Sequence, residues 1–128
     1  MSTPYSKGYS FERKVLKYLE ELGYTVFRVG GSHGPADLIA LRADKKEDYP
    51  FLPTIRTHVW LIQCQRGKYF SKDKKEELAL LARKISASHT LAWAEDARKH
   101  GNTAIKFSDD MIVTSAPKPL RTTALGEK

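Results

Sequence analysis

Residues 36–41 read Ala-Asp-Leu-Ile-Ala-Leu, and residues 57–65 read Thr-His-Val-Trp-Leu-Ile-Gln-Cys-Gln. Each is a short apolar run with its polar chemistry near one end, the signature of a strand buried for most of its length. Paired as an antiparallel hairpin, the two runs set Asp37 beside residues 63–65. Side chains alternate along a strand, so Val59, Leu61, Gln63 and Gln65 share one face while Trp60, Ile62 and Cys64 share the other. Both faces are apolar away from the polar end. Such a sheet must be covered above and below, which calls for helices on both sides.

The flanking sequence supplies them. Phe11, Val15, Tyr18, Leu19 and Leu22 recur at helical spacing, with Arg13, Lys14, Lys17, Glu20 and Glu21 outside the stripe. Ser10 is placed to cap this helix and Gly23 to end it in a left-handed turn. A second helix is expected from Ser71 or Asp73, with Leu78, Leu81, Ala82 and Ile85 as its buried stripe. Thr25–Val29, Ser88–Ala94 and Thr103–Phe107 read as further strands, and Asp96–His100 as one helical turn. Residues 42–56, charged and holding Pro50 and Pro53, form a surface connection. The reading is one α/β domain at 8–113, a mixed five-stranded sheet flanked by helices. A flexible N-terminal arm at 1–7 and a flexible C-terminal tail at 114–128 flank it.

Composition narrows the function. Hydrophobic residues make up 41% of the 128 and charged ones 29%, the balance of a globular domain, with no apolar run of membrane-spanning length. A lone cysteine, Cys64, excludes a disulfide framework or a Cys-rich zinc site and fits a reducing, cytoplasmic setting. Lys and Arg number 22 against 15 Asp and Glu, a net charge of +7 that suits a polyanionic partner such as nucleic acid. His33, His58, His89 and His100 show no metal-ligand spacing.

Three segments together resemble a known family: Gly8-Tyr9-Ser10-Phe11-Glu12-Arg13, Arg28-Val29-Gly30-Gly31-Ser32, and Gly34-Pro35-Ala36-Asp37-Leu38-Ile39-Ala40. In order and spacing they are similar to the archaeal-type Holliday junction resolvase, Hjc, of the PD-(D/E)XK nucleases. The resemblance implies a restriction-endonuclease-like fold and metal-dependent hydrolysis of phosphodiesters at four-way DNA junctions. It implies catalytic roles for Glu12, Ser32 and Asp37, and for Gln63 and Gln65 where the family carries Glu-x-Lys. Mg²⁺ or Mn²⁺ would be held by Asp37, Gln63 and the Cys64 carbonyl, with Glu12 reaching it directly or through water. It also implies a symmetric homodimer, two sites on opposed strands of a two-fold substrate.

Gln65 is neutral and cannot supply the positive charge of the family lysine. Lys68 could take that role if Gly67 bulges the strand, and Lys72, Lys74 and Lys75 are further candidates. Arg13, Lys17, Arg28, Arg66, Lys68, Lys72, Lys74 and Lys75 form the expected DNA-backbone contacts. A branched-DNA binder that lost cleavage with Gln65 is the alternative reading, and a basic RNA-binding protein a third.

Overall fold

The two apolar runs do pair, and the pairing organises everything else. A computed structural model describes residues 4–29, 34–44, 50–51, 56–65, 67, 69–97 and 102–118. In chain order the elements are α1 (Pro4–Glu21), β1 (Thr25–Arg28), β2 (Leu38–Ala43), β3 (Thr57–Gln65), α2 (Lys72–Ile85), β4 (Ser88–Ala97), β5 (Asn102–Phe107) and α3 (Met111–Thr114). The sheet runs β1-β2-β3-β4-β5. Its neighbours are antiparallel except β3 and β4, which are parallel and joined through α2. A parallel pair needs a long crossover, and α2 provides it.

Alternation along β3 sorts the core into two layers. Trp60 and Ile62, with Leu38 and Ala40 of β2, pack against Phe11, Val15 and Leu19 of α1 and Leu22 just past its end. Leu61 faces the other way, onto Leu78 and Ala82 of α2, and Ile39, Val59 and Leu91 line the same face. Cys64 packs on the α1 side, so Gln63 and Gln65 lie on the α2 side, as the alternation predicts. Burial of a continuous stripe, rather than propensity, is what holds both helices to the sheet.

Several boundaries differ from the sequence expectation. Residues 4–7, expected in the arm, belong to α1, and Ser10 lies inside that helix rather than at its cap. Asp96 and Ala97, expected in a helical turn, extend β4. Ile85 is half exposed, so the α2 stripe ends at Ala82. Asp44, expected in a solvated charge run, is mostly buried. It faces Arg42 at 3.3 Å, His58 at 3.8 Å and Arg56 at 4.0 Å, which ties the base of the β2–β3 connection.

The chain past residue 113, expected in the tail, is docked as far as Lys118. Ile112 and Ala116 are fully buried against the α1 layer, and Lys118 N donates to the Leu22 carbonyl at 2.7 Å. Tyr24 Oη donates to the Ile112 carbonyl at 2.6 Å. Gly23 stands in the left-handed region at φ +98°, and a Cβ there would lie 2.9 Å from Pro117 Cβ, so the turn and the docked segment select glycine together. No described helix is long and apolar enough to cross a membrane.

This docking is testable. Tyr24→Phe removes the hydroxyl and leaves a buried carbonyl with one partner fewer, a loss of about 1–2 kcal/mol. Urea unfolding should show a lower midpoint with an unchanged slope. An unchanged midpoint would mean that the Tyr24–Ile112 hydrogen bond adds nothing to the docking of this segment.

Candidate active site

At the polar end of the β2–β3 pair the main chain fixes Asp37 from three directions. Its N–H donates to the Ile62 carbonyl at 2.8 Å, and its carbonyl accepts from Val29 N at 2.9 Å. Its Oδ2 accepts from Cys64 N at 2.8 Å. The side chain thus closes the ladder where β2 stops, and a backbone donor of β3 is satisfied by a carboxylate. One residue past the Leu38–Ile62 pair, Asp37 stands opposite Gln63.

Gln63 is 7% exposed, and its Oε1 is buried with no hydrogen-bond partner among the described residues. An unmatched buried acceptor costs on the order of 1–3 kcal/mol, so it asks for a donor or a cation. Glu12 comes from α1, one turn before the half-buried Leu16, and its side chain is 18% exposed. It is close enough to Asp37 to feel that charge, and Arg28 Nε of β1 donates to its Oε1 at 3.0 Å.

Burial is the main reason both carboxyls titrate above their ordinary values. For Glu12, the Arg28 hydrogen bond pulls the pKa back and the Asp37 charge pushes it further up. For Asp37, the Cys64 N–H, then the Lys74 and Arg28 charges, partly offset the burial. The Cys64 thiol is pushed well above its usual range, by burial and then by the Asp37 and Glu12 charges. Cys64 is therefore an inert core thiol whose main chain, not whose sulfur, serves the site.

The structure gathers Glu12, Arg28, Asp37, Gln63, Cys64 and Lys74 around one end of the sheet. Gln65 turns away into its own loop, donating from Nε2 to the Tyr69 carbonyl and to that of Gly67 at 3.4 Å. Arg13 and Lys17 lie on the exposed side of α1, and Lys72 and Lys75 in the exposed first turn of α2. Ser32, Arg66 and Lys68 lie outside the described residues. Sequence reading assigned Arg28 to DNA and missed its pairing with Glu12. The signal was available, because Arg28 shares strand parity with the buried Val26, which turns it to the α1 side.

As a cation site the set is one of hard oxygens: two carboxylates, a buried amide oxygen and a main-chain carbonyl. Among the described residues no group of three or more His, Cys, Asp or Glu side chains is clustered, so the amide oxygen and the carbonyl are needed to complete a shell. The orphaned Gln63 Oε1 and this donor chemistry fit Mg²⁺ or Mn²⁺.

A helix carboxylate near a strand-end carboxylate on a mixed five-stranded sheet is the arrangement expected of the restriction-endonuclease-like fold that the sequence resembles. The family described as archaeal Holliday junction resolvase (hjc) matches residues 3–48, a span that contains Glu12, Arg28 and Asp37 and stops before Gln63. Among solved structures, the fold is similar to Hjc of Archaeoglobus fulgidus, a Holliday junction resolvase from an archaeal hyperthermophile. The identity is 24%, the TM-score 0.56, and the match covers 87% of this chain and 84% of that one. No curated protein matches. The resemblance to archaeal Holliday junction resolvases thus rests on a sequence pattern over the first third of the chain and on a shared fold over most of it.

The raised carboxyl makes a stability prediction. Asp37 binds its proton more tightly folded than unfolded, so its contribution to stability is greatest below the unfolded value, near 3.8, and declines as pH rises through the higher folded value. Asp37→Asn keeps an oxygen to accept from Cys64 N and removes that loss. Calorimetry at pH 7 should show a Tm higher than wild type by a few degrees, with the gap closing towards pH 4. A variant less stable than wild type at pH 7 would show that the ionised carboxylate supports the fold.

Proposed function

We propose that this chain is a metal-dependent endonuclease of the archaeal Holliday junction resolvase family, cutting four-way DNA junctions by paired nicks. The observation that carries the reading is the meeting of Glu12, Asp37 and the unpartnered Gln63 Oε1 at one end of the sheet. The family match and the shared fold support it, and the +7 charge suits a DNA partner inside the cell.

The residues take distinct parts. Asp37, Gln63 and the Cys64 carbonyl would hold Mg²⁺ or Mn²⁺, with Glu12 completing the shell directly or through water. When bound, the ion supplies an activated water and neutralises charge developing on the scissile phosphate. Asp37 is preset for this, since three main-chain contacts fix it and leave Oδ1 to act. Arg28 holds Glu12 in place through its Nε–H. Arg13, Lys17, Arg66, Lys68, Lys72 and Lys75 would grip backbone phosphates, which positions the substrate without reading its sequence. One chain carries one such site, and a junction must be cut on two opposed strands. The working unit is therefore a symmetric homodimer, its two-fold axis matched to that of the substrate.

Gln65 favours one competing reading. With its amide committed to the Tyr69 and Gly67 carbonyls, the chain could bind branched DNA without cutting it. A single assay separates the two. The protein is incubated with a labelled four-way junction and a linear duplex, in Mg²⁺ or in EDTA. Symmetric, metal-dependent nicks in the junction, with the duplex intact, are expected. Tight junction binding without product would establish the binder, and preference for single-stranded RNA would remove both readings.

Asp37→Asn should lower the single-turnover cleavage rate by roughly 10³-fold or more, since it removes the central anionic ligand, while junction affinity in EDTA stays within a few-fold of wild type. A fully active variant would overturn the metal assignment.

A further inference from the structure

The charge that Gln65 cannot provide has a candidate source on α2. The helix begins at Lys72, capped by Ser71, whose Oγ accepts from Lys74 N at 3.2 Å. Lys74, Leu78 and Ala82 are spaced four apart and share one stripe, and Leu78 and Ala82 of that stripe are buried in the layer that contains Leu61. Only residues 66–71 separate β3 from α2, so the helix starts over the end of β3 and runs back along the sheet, reaching β4 at Ser88, which pairs with Trp60. From Leu78 to Lys74 is about 6 Å towards the helix N-terminus. From Leu61 to Gln63 is about 6.6 Å in the same direction along β3. Lys74 therefore overhangs the sheet face of Gln63 and Gln65, at the end where Asp37 stands.

We propose that Lys74 supplies the positive charge at the scissile phosphate, acting from the helix in place of a strand lysine at position 65. The proposal rests on the nuclease reading above and names a residue that reading leaves open. The Lys74 charge is felt at Asp37, which supports the placement. The stem of Lys74 continues the apolar stripe, and its ammonium stays in water, an arrangement suited to a long amphipathic side chain at the rim of a cleft. Lys72 lies off the stripe of Leu78 and Ala82, while Lys75, three residues before Leu78, flanks it beside Lys74. Of the three, Lys74 is the one whose charge reaches Asp37.

Lys74→Gln and Lys74→Arg test this in the full-length chain. The exposed position and the retained Ser71 cap, which uses only the main-chain N–H of residue 74, leave the fold intact, and circular dichroism checks it. Lys74→Gln should cut the single-turnover rate on a saturating junction by about 100-fold, the scale of losing one charge-stabilising donor. Junction affinity in EDTA should change less than threefold, and Lys74→Arg should recover most of the rate. Independently of turnover, calorimetric titration with Mn²⁺ alone should show tighter binding to Lys74→Gln, because a like charge beside the site has gone.

A Lys74→Gln variant that cleaves like wild type overturns the assignment and leaves the nuclease reading standing. So does one whose loss is wholly in junction affinity, which would make Lys74 one more backbone contact. Weaker Mn²⁺ binding would also overturn it, since the side chain would then be supporting the ligands. A wild-type chain that fails to cleave any junction in Mg²⁺ or Mn²⁺ overturns both.

Discussion

The hydrogen bond from Cys64 N to Asp37 Oδ2 decides where the chemistry of this protein can be. β3 outlasts β2 by several residues, so its first donor beyond the pair would otherwise face solvent or go unmatched. A carboxylate fills that place. Because the Asp37 N–H and carbonyl are also engaged, by Ile62 and Val29, the side chain has little freedom left. One oxygen is spent on the fold and the other is held still beside Gln63. Rigid presentation of an acidic oxygen on strand ends is what a cation site needs, and loops alone seldom provide it.

The electrostatics follow from that fixation. Burial raises both carboxyls, and the Asp37 charge raises Glu12 further, so burial and repulsion both disfavour the fully ionised pair. Arg28 and Lys74 partly compensate, one from β1 and one from α2, on opposite sides of the sheet end. The site is thus a ring of alternating sign. A divalent ion would relieve the carboxylate repulsion that the two protein cations only moderate. Strain of this kind concentrates where a ligand is meant to resolve it.

Much of this was legible in the sequence where burial is periodic. The α1 stripe from Phe11 to Leu22, the full span of β3 and the Ser71 start of α2 follow from apolar spacing and a capping residue, and the structure agrees. Asp37 and Gln63 came together because one face assignment fixes the whole strand pair. What escaped lacks a local period. The first turns of α1 carry no apolar stripe, and β4 runs on through charged Asp96 because β5 pairs with it. The segment 111–118 is held by a tyrosine 88 positions away from Ile112, a contact that no window of sequence contains. The Glu12–Arg28 pair and the Lys74 overhang are likewise products of packing, visible only once both helices sit on the sheet.

The contest between nuclease and passive binder turns on a conflict of charge. A protein of net charge +7 that only gripped phosphates would gain from a uniformly basic surface, since every neutralised phosphate releases counterions. This chain instead keeps two partly buried carboxylates and an unsatisfied amide oxygen where its strands end. Those groups repel a phosphate and cost stability as well. They become useful only with a cation between them and the DNA, which turns repulsion into a bridge. Gln65 contributes no positive charge to that arrangement, and the acidic half stands without it. The charge pattern of the strand ends therefore suits a cation-bridged phosphate better than a simple backbone grip.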